Sequence, residues 1–148
     1  MGAFYGTYTH SVDAKGRFSL PARIRQALPP EAPNSIVLVL GLEPCFYGFS
    51  EPDFYRMQEK IGALGMGSTD ARGIMEVFGG SATFCEVDAQ GRVLVLPKTL
   101  EIVGIKNEIT IVGAVKFLSL WDPQKYAERL TDLRAAYAEG MRRYFSEA

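Results

Sequence analysis

The sequence predicts an α+β fold, in which two tandem β-rich repeats share one core and are joined and followed by helices. Three observations carry this. Val12-Asp13-Ala14-Lys15-Gly16-Arg17 returns as Val87-Asp88-Ala89-Gln90-Gly91-Arg92, identical at five of six positions, and self-similarity at a long fixed spacing marks a repeated structural unit. Short apolar runs bounded by Gly, Pro and Asn surround each copy and read as strands. The stretches between and after the copies keep helical spacing instead. At 148 residues the chain is close to the ~150 of one average domain, so both repeats must fit one compact unit.

In the first repeat the predicted strands are roughly Tyr5 to Val12, Gly16 to Leu20, Ile36 to Leu40 and Cys45 to Phe49, with a short helix from Pro21 to Leu28. Asp13-Ala14-Lys15-Gly16 has the Asp and Gly of a type I turn, with Gly16 in a left-handed conformation, so a hairpin tip is expected there. Beyond the tip, Phe18 to Pro21 faces Val93 to Leu96. Val37-Leu38-Val39-Leu40-Gly41 faces Ile109-Thr110-Ile111-Val112-Gly113, and Phe46 to Ser50 faces Leu118 to Asp122. The second repeat is shorter by three residues in the turn before its third strand, where length is cheapest to change. Pro21 and Pro97 are each expected at a first helical position, where the missing N–H costs nothing.

Ser50-Glu51-Pro52-Asp53 is a helix start, and Phe54, Met57, Ile61 and Leu64 continue it at helical spacing up to Gly65-Met66-Gly67-Ser68. A second helix runs from Thr69 to Phe78, and Gly79-Gly80 returns the chain to strands. Asp122-Pro123 caps a third helix, on which Tyr126, Leu130, Leu133, Tyr137, Met141 and Tyr144 form one apolar stripe that needs something to pack on. The organisation is therefore a first repeat at 4–50, connecting helices at 51–79, a second repeat at 80–122 and a C-terminal amphipathic helix at 123–148.

Hydrophobic residues make up 47% of the chain and charged ones 22%, which excludes intrinsic disorder. The longest apolar stretch, Ile36 to Leu42, is far short of a membrane span, and Met1 to Tyr5 lacks the basic start of a secretion signal, so a cytoplasmic location is expected. Cys45 and Cys85 stand far apart in no metal-ligand spacing and read as reduced buried thiols. No metal ligand set, cofactor motif or small-molecule substrate site is apparent. The lone His10, beside Ser11 and near Asp13, reads as a polar strand residue and not as part of a catalytic set. No catalytic residue is assigned. The glycines from Gly62 to Gly67 lack the preceding strand and the Lys-Ser/Thr ending of a phosphate loop.

The tips carry the functional signal. In each, an Asp precedes an Arg by four residues across a Gly-containing turn, a span that brings carboxylate and guanidinium together. An Arg held this way loses less freedom on contacting a guanine edge or a phosphate, and a two-stranded ribbon is narrow enough for the major groove. The whole chain has a net charge of −1, so affinity for DNA must be local. From His10 to Arg25 the basic Lys15, Arg17, Arg23 and Arg25 face Asp13 alone, whereas from Cys85 to Leu100 Arg92 and Lys98 are balanced by Glu86 and Asp88. On charge the first tip is the stronger phosphate seeker.

The tandem Asp-x-x-x-Arg motifs, the opening Tyr8-Thr9-His10-Ser11-Val12-Asp13-Ala14-Lys15-Gly16-Arg17-Phe18-Ser19-Leu20-Pro21-Ala22, and Val112-Gly113 followed by Leu120-Trp121-Asp122 resemble the bacterial MraZ family, from Phe4 to about Tyr126. The resemblance implies two AbrB-like swapped-hairpin repeats forming one pseudo-twofold domain. It also implies a ring-shaped homo-oligomer and a nucleoid-associated transcriptional regulator that binds repeated double-stranded DNA elements upstream of the division and cell-wall gene cluster. The DNA-facing residues it points to lie in and beside the tips: Asp13, Lys15, Gly16, Arg17, Arg23 and Arg25 in the first repeat, and Asp88, Gly91 and Arg92 in the second. The chain departs from the family pattern at Gln90, where a Lys would match the first repeat, at Leu96, where a Pro would, and at its start. The competing reading is an antitoxin-like protein-binding module of the swapped-hairpin type, using the C-terminal helix as its partner surface.

Overall fold

The computed structural model describes residues 2–145, so the last three residues of the expected C-terminal segment, 146–148, lie outside it. In chain order the elements are β1 (Thr7–Ser11), β2 (Arg17–Ser19), α1 (Ala22–Gln26), β3 (Ser35–Leu40), β4 (Phe46–Phe49), α2 (Glu51–Gly62), α3 (Thr69–Ser81), β5 (Thr83–Glu86), β6 (Arg92–Leu94), α4 (Pro97–Glu101), β7 (Glu108–Gly113), β8 (Leu118–Trp121) and α5 (Pro123–Phe145). The two repeats are present in the predicted order. What local sequence patterns do not encode is the pairing.

β1 and β2 leave the same turn and do not pair with each other. β1 joins an antiparallel six-stranded sheet in the order β1-β7-β8-β4-β3-β5, and β2 pairs only with β6 in a separate two-stranded ribbon. Each repeat thus lends its first strand to the other repeat's sheet: β1 lies on β7 and β5 lies on β3. The reason is burial. A three-residue strand folded back on its own neighbour covers little, whereas β2 crossed with β6 puts Phe18 directly opposite Val93, and both are buried at the ribbon's centre. The register is that of a pseudo-twofold axis. Phe18 opposite Val93 is flanked by Arg17 against Leu94 and Ser19 against Arg92. In the sheet, Tyr47 opposite Ser119 is flanked by Phe46 against Leu120 and Gly48 against Leu118. Exchanging the repeats maps each set of pairs onto itself.

The main core lies between sheet and ribbon. Ile36, Leu38, Phe46, Ile109, Ile111, Leu118 and Leu120 face Phe18, Leu20, Val93 and Val95, with Ile24 of α1 and Leu100 of α4 closing the ends. Each such side chain contributes ~1.5–3 kcal/mol by leaving water. The other face of β3 presents Val37 and Val39 to Phe54 of α2, whose ring stacks on Phe78 of α3 at 5.2 Å. A strand covered on both faces needs apolar residues at consecutive positions, hence the unbroken run Ile36 to Leu40. The corresponding support for the second repeat begins with Trp121, 5.4 Å from Tyr126 at the start of α5. Cys45 and Cys85 are both buried, and burial pushes each thiol up to about 12.

Several element ends differ from expectation by a residue or more, and at three of them the structure shows why. β1 begins at Thr7 and not at Tyr5, because Gly6 turns the backbone through a φ of +95°. Pro97 opens α4 as expected, but Pro21 lies one residue before α1, its carbonyl accepting the first helical bond from Arg25 at 2.9 Å. α3 runs through Gly79 and Gly80 to Ser81. There the Ser81 hydroxyl accepts the N–H of Leu40 at 2.9 Å, tying the last turn of the helix to β3 where two glycines alone would have let it fray. The apolar stripe of α5 is covered only near its start: Leu130 and Leu133 are half-buried, whereas Tyr137 and Tyr144 are 69% and 74% exposed.

Candidate nucleic-acid interface

Both turns are built alike. The N–H of Gly16 donates to the carbonyl of Asp13 at 2.9 Å, closing the predicted four-residue turn, and the N–H of Asp13 donates to the carbonyl of Arg17 at 2.9 Å. Asp88, Gly91 and Arg92 repeat both bonds, each at 2.9 Å. Gly16 and Gly91 have φ of +94° and +79°, a region L side chains avoid.

The carboxylate then organises everything above the turn. Asp13 Oδ1 accepts the N–H groups of Lys15 and Arg17, both at 2.9 Å, while Oδ2 accepts Nε of Arg17 at 2.8 Å. Asp88 Oδ1 accepts the N–H groups of Gln90 and Arg92 at 2.9 and 2.8 Å, and Oδ2 accepts Nε of Arg92 at 3.1 Å. The Asp-x-x-x-Arg spacing therefore does what it suggested: carboxylate and guanidinium meet across the turn. Exposed ion pairs of this kind add little stability. Their effect is orientation, because only Nε is engaged and the two terminal nitrogens of Arg17 and of Arg92 make no other hydrogen bond among the described residues.

The backbone N–H of Arg17, joined by its side chain and the N–H of Lys15, holds the Asp13 carboxyl down at about 2, and the N–H of Arg92 lowers Asp88 in the same way. A carboxyl depressed on folding stabilises the protein above its ordinary value of 3.8, and that contribution is lost as pH falls through about 2. Asp13→Asn puts an amide N–H₂ opposite Arg17 Nε. The thermal-midpoint gap between wild type and Asp13→Asn is therefore expected to be constant from about pH 8 to 5 and to close below about pH 4. A gap that stays constant to pH 2 would contradict this account of the pair.

The strand exchange brings the rest of the site together in a way sequence windows do not show. The N–H of Leu20 donates to the carbonyl of Gly91 at 2.8 Å, and the N–H of Val95 donates to that of Gly16 at 3.0 Å, so each tip is stitched to the opposite repeat. Gly16 lies against the backbone of Val95 and the ring of Pro97, and beside it Asp13 shares a concavity with Lys106. Gly91 lies against the guanidinium of Arg25, whose Nε donates to the Leu20 carbonyl at 3.0 Å. Arg23 is exposed on α1. The basic residues that sequence proximity assigns to the first tip are thus divided: Lys15 and Arg17 stay with it, and Arg25 crosses to the second. This corrects the expectation that the second tip has little basic support. Lys106 went unnoticed because it stands far from Asp13 in sequence and in no motif.

Comparison with known proteins adds the decisive observation. The family model described as "MraZ protein, putative antitoxin-like" matches residues 3–76 and again 78–145. The chain belongs to the MraZ family. Proteins named transcriptional regulator MraZ share its sequence over nearly their whole length. The one from Symbiobacterium thermophilum is 33% identical over 90% of this chain and 94% of its own. That from Carboxydothermus hydrogenoformans is 34% identical over 92% of each, and that from Paraburkholderia phytofirmans 35% over 93% of each. The two MraZ matches divide the chain between its two repeats, one tip in each. Among the described residues no helix is long and apolar enough to cross a membrane, and no cluster of His, Cys, Asp or Glu could hold a metal ion.

Proposed function

We propose that this chain is a sequence-specific, DNA-binding transcriptional regulator, cytoplasmic and nucleoid-associated, that acts by binding and without turnover. Its targets are repeated elements upstream of the division and cell-wall gene cluster. The observation that carries this reading is the pair of matching turns, each holding an Arg by Nε alone and leaving its terminal nitrogens without a hydrogen-bond partner among the described residues. Arg17 and Arg92 read bases, Asp13 and Asp88 orient them, Gly16 and Gly91 permit the turns, and Lys15, Arg23 and Arg25 supply phosphate contacts. The relatives named as transcriptional regulators support the same reading. A mobility-shift titration against DNA upstream of the chain's own gene tests it. Binding should prefer that DNA to scrambled sequence and weaken steeply with salt, by nearly one unit of logarithmic slope per phosphate contacted. Salt-insensitive or sequence-blind binding would contradict it.

A single tip is a weak reader, so the mechanism is multivalent. A ring-shaped homo-oligomer sets several tips against spaced DNA repeats, and later contacts become effectively intramolecular. Subunit contacts belong to the sheet edges β1 and β5 and to the uncovered faces of the helices, away from the tips. Arg17→Ala should therefore leave the assembly intact by light scattering. A shift to monomers would move the tips into the subunit interface.

The exposed outer half of α5 favours a second reading, an antitoxin-like module whose partner is another protein. A partner co-purifying in stoichiometric amount would support it.

A further inference from the structure

The geometry points to Arg25 as a phosphate-contacting residue of the second tip, supplied across the strand exchange by the first repeat. This rests on the DNA-binding reading of the tips and specifies how one of them is assembled.

Three observations fix the assignment. Leu20 is hydrogen-bonded to Gly91, which sets the start of α1 beside the second turn and away from the first. The Nε of Arg25 is held by the Leu20 carbonyl at 3.0 Å, so the side chain lies back over that turn. A Cβ at Gly91 would stand 2.7 Å from both Cζ and Nε of Arg25, so the guanidinium occupies the space a side chain at position 91 would need. With Nε engaged, its terminal nitrogens make no hydrogen bond or ion pair among the described residues, although the residue is exposed. That leaves a planar pair of donors of the kind that clasps a phosphate. A side chain anchored at the base of the turn suits the DNA backbone, while Arg92, one residue beyond Gly91, is the base reader.

The first tip has no arginine in the equivalent place. The position matching Arg25 is Leu100, which is buried in the core, and Gly16 rests on Val95 and the Pro97 ring. The two tips are thus unlike in kind: Lys15 with Arg17 in the first, and Arg25 with Arg92 around the Gln90 turn in the second.

The test uses the full chain and compares Arg25→Gln, which keeps an N–H donor for the Leu20 carbonyl but removes the charge, with Arg25→Ala. Each is made alone and combined with Arg17→Ala or Arg92→Ala. Thermal midpoints confirm folding, and affinities for upstream and scrambled DNA are measured at two salt concentrations. The expected result is a severalfold loss from either Arg25 variant, equal on both DNAs, with the salt slope reduced by nearly one. Its effect should be non-additive with Arg92→Ala and additive with Arg17→Ala. No loss from Arg25→Gln, a loss confined to the upstream sequence, or coupling to Arg17 in place of Arg92 would overturn the inference while leaving the tips as DNA readers. Absence of salt-sensitive binding by the wild type would overturn the functional reading itself.

Discussion

Arg17→Ala is expected to weaken binding to the upstream DNA roughly 100-fold or more while leaving the fold and the thermal midpoint nearly unchanged. A bidentate Arg contact to guanine is worth ~1–3 kcal/mol of discrimination, and an oligomer loses it at every tip it has placed on the DNA, so the losses multiply. Stability is spared because Arg17 stands half-exposed above the turn, and the turn itself is closed by backbone bonds that Ala retains. Binding to scrambled DNA should fall much less, since Lys15 and Arg23 remain to attract phosphate. Titration and melting of one preparation check both halves. Loss of fold together with binding would make Arg17 a structural residue.

Gly16→Ala should be the most destabilising single methyl group at either tip. Its φ of +94° imposes strain of ~1–3 kcal/mol on an L side chain, and the new Cβ would be driven into the Val95 carbonyl. That carbonyl belongs to the strand crossing, so relief requires moving β6 relative to β2 and disturbing Phe18 against Val93. The combined cost is about 3 kcal/mol or more. Gly91→Ala carries similar strain at a φ of +79° but meets the movable side chain of Arg25, so it should lower the midpoint less. Thermal melts of the two variants decide it. An equal or larger drop for Gly91→Ala would contradict the packing described for the first tip.

Local chemistry was legible in the sequence wherever a short stretch determines its own structure. The Asp and Gly of each turn, Pro97 at a helix start and the apolar run Ile36 to Leu40 as a strand are read correctly because each needs only neighbours a few residues away. Pairing is different. β1 could satisfy its backbone equally well against its own repeat or the other, and nothing between Thr7 and Ser11 distinguishes the two. The choice is made by burial of Phe18 and Val93 at the crossing, far away in sequence. The same non-locality misplaced Arg25: counted along the chain it strengthens the first tip, but Leu20 carries it to the second. α3 outran its glycines for a related reason, because Ser81 finds its partner in Leu40 of β3.

The central claim, that the two tips read DNA, is tested most directly by the double variant Arg17→Ala/Arg92→Ala. Fluorescence anisotropy would follow its titration onto a labelled duplex carrying the upstream repeats and onto a scrambled duplex of equal length, beside the wild type at two salt concentrations. The account predicts that the wild type prefers the repeats strongly and that the intact, still oligomeric variant binds both duplexes equally and weakly. A variant that keeps the wild-type preference for the repeats would contradict it.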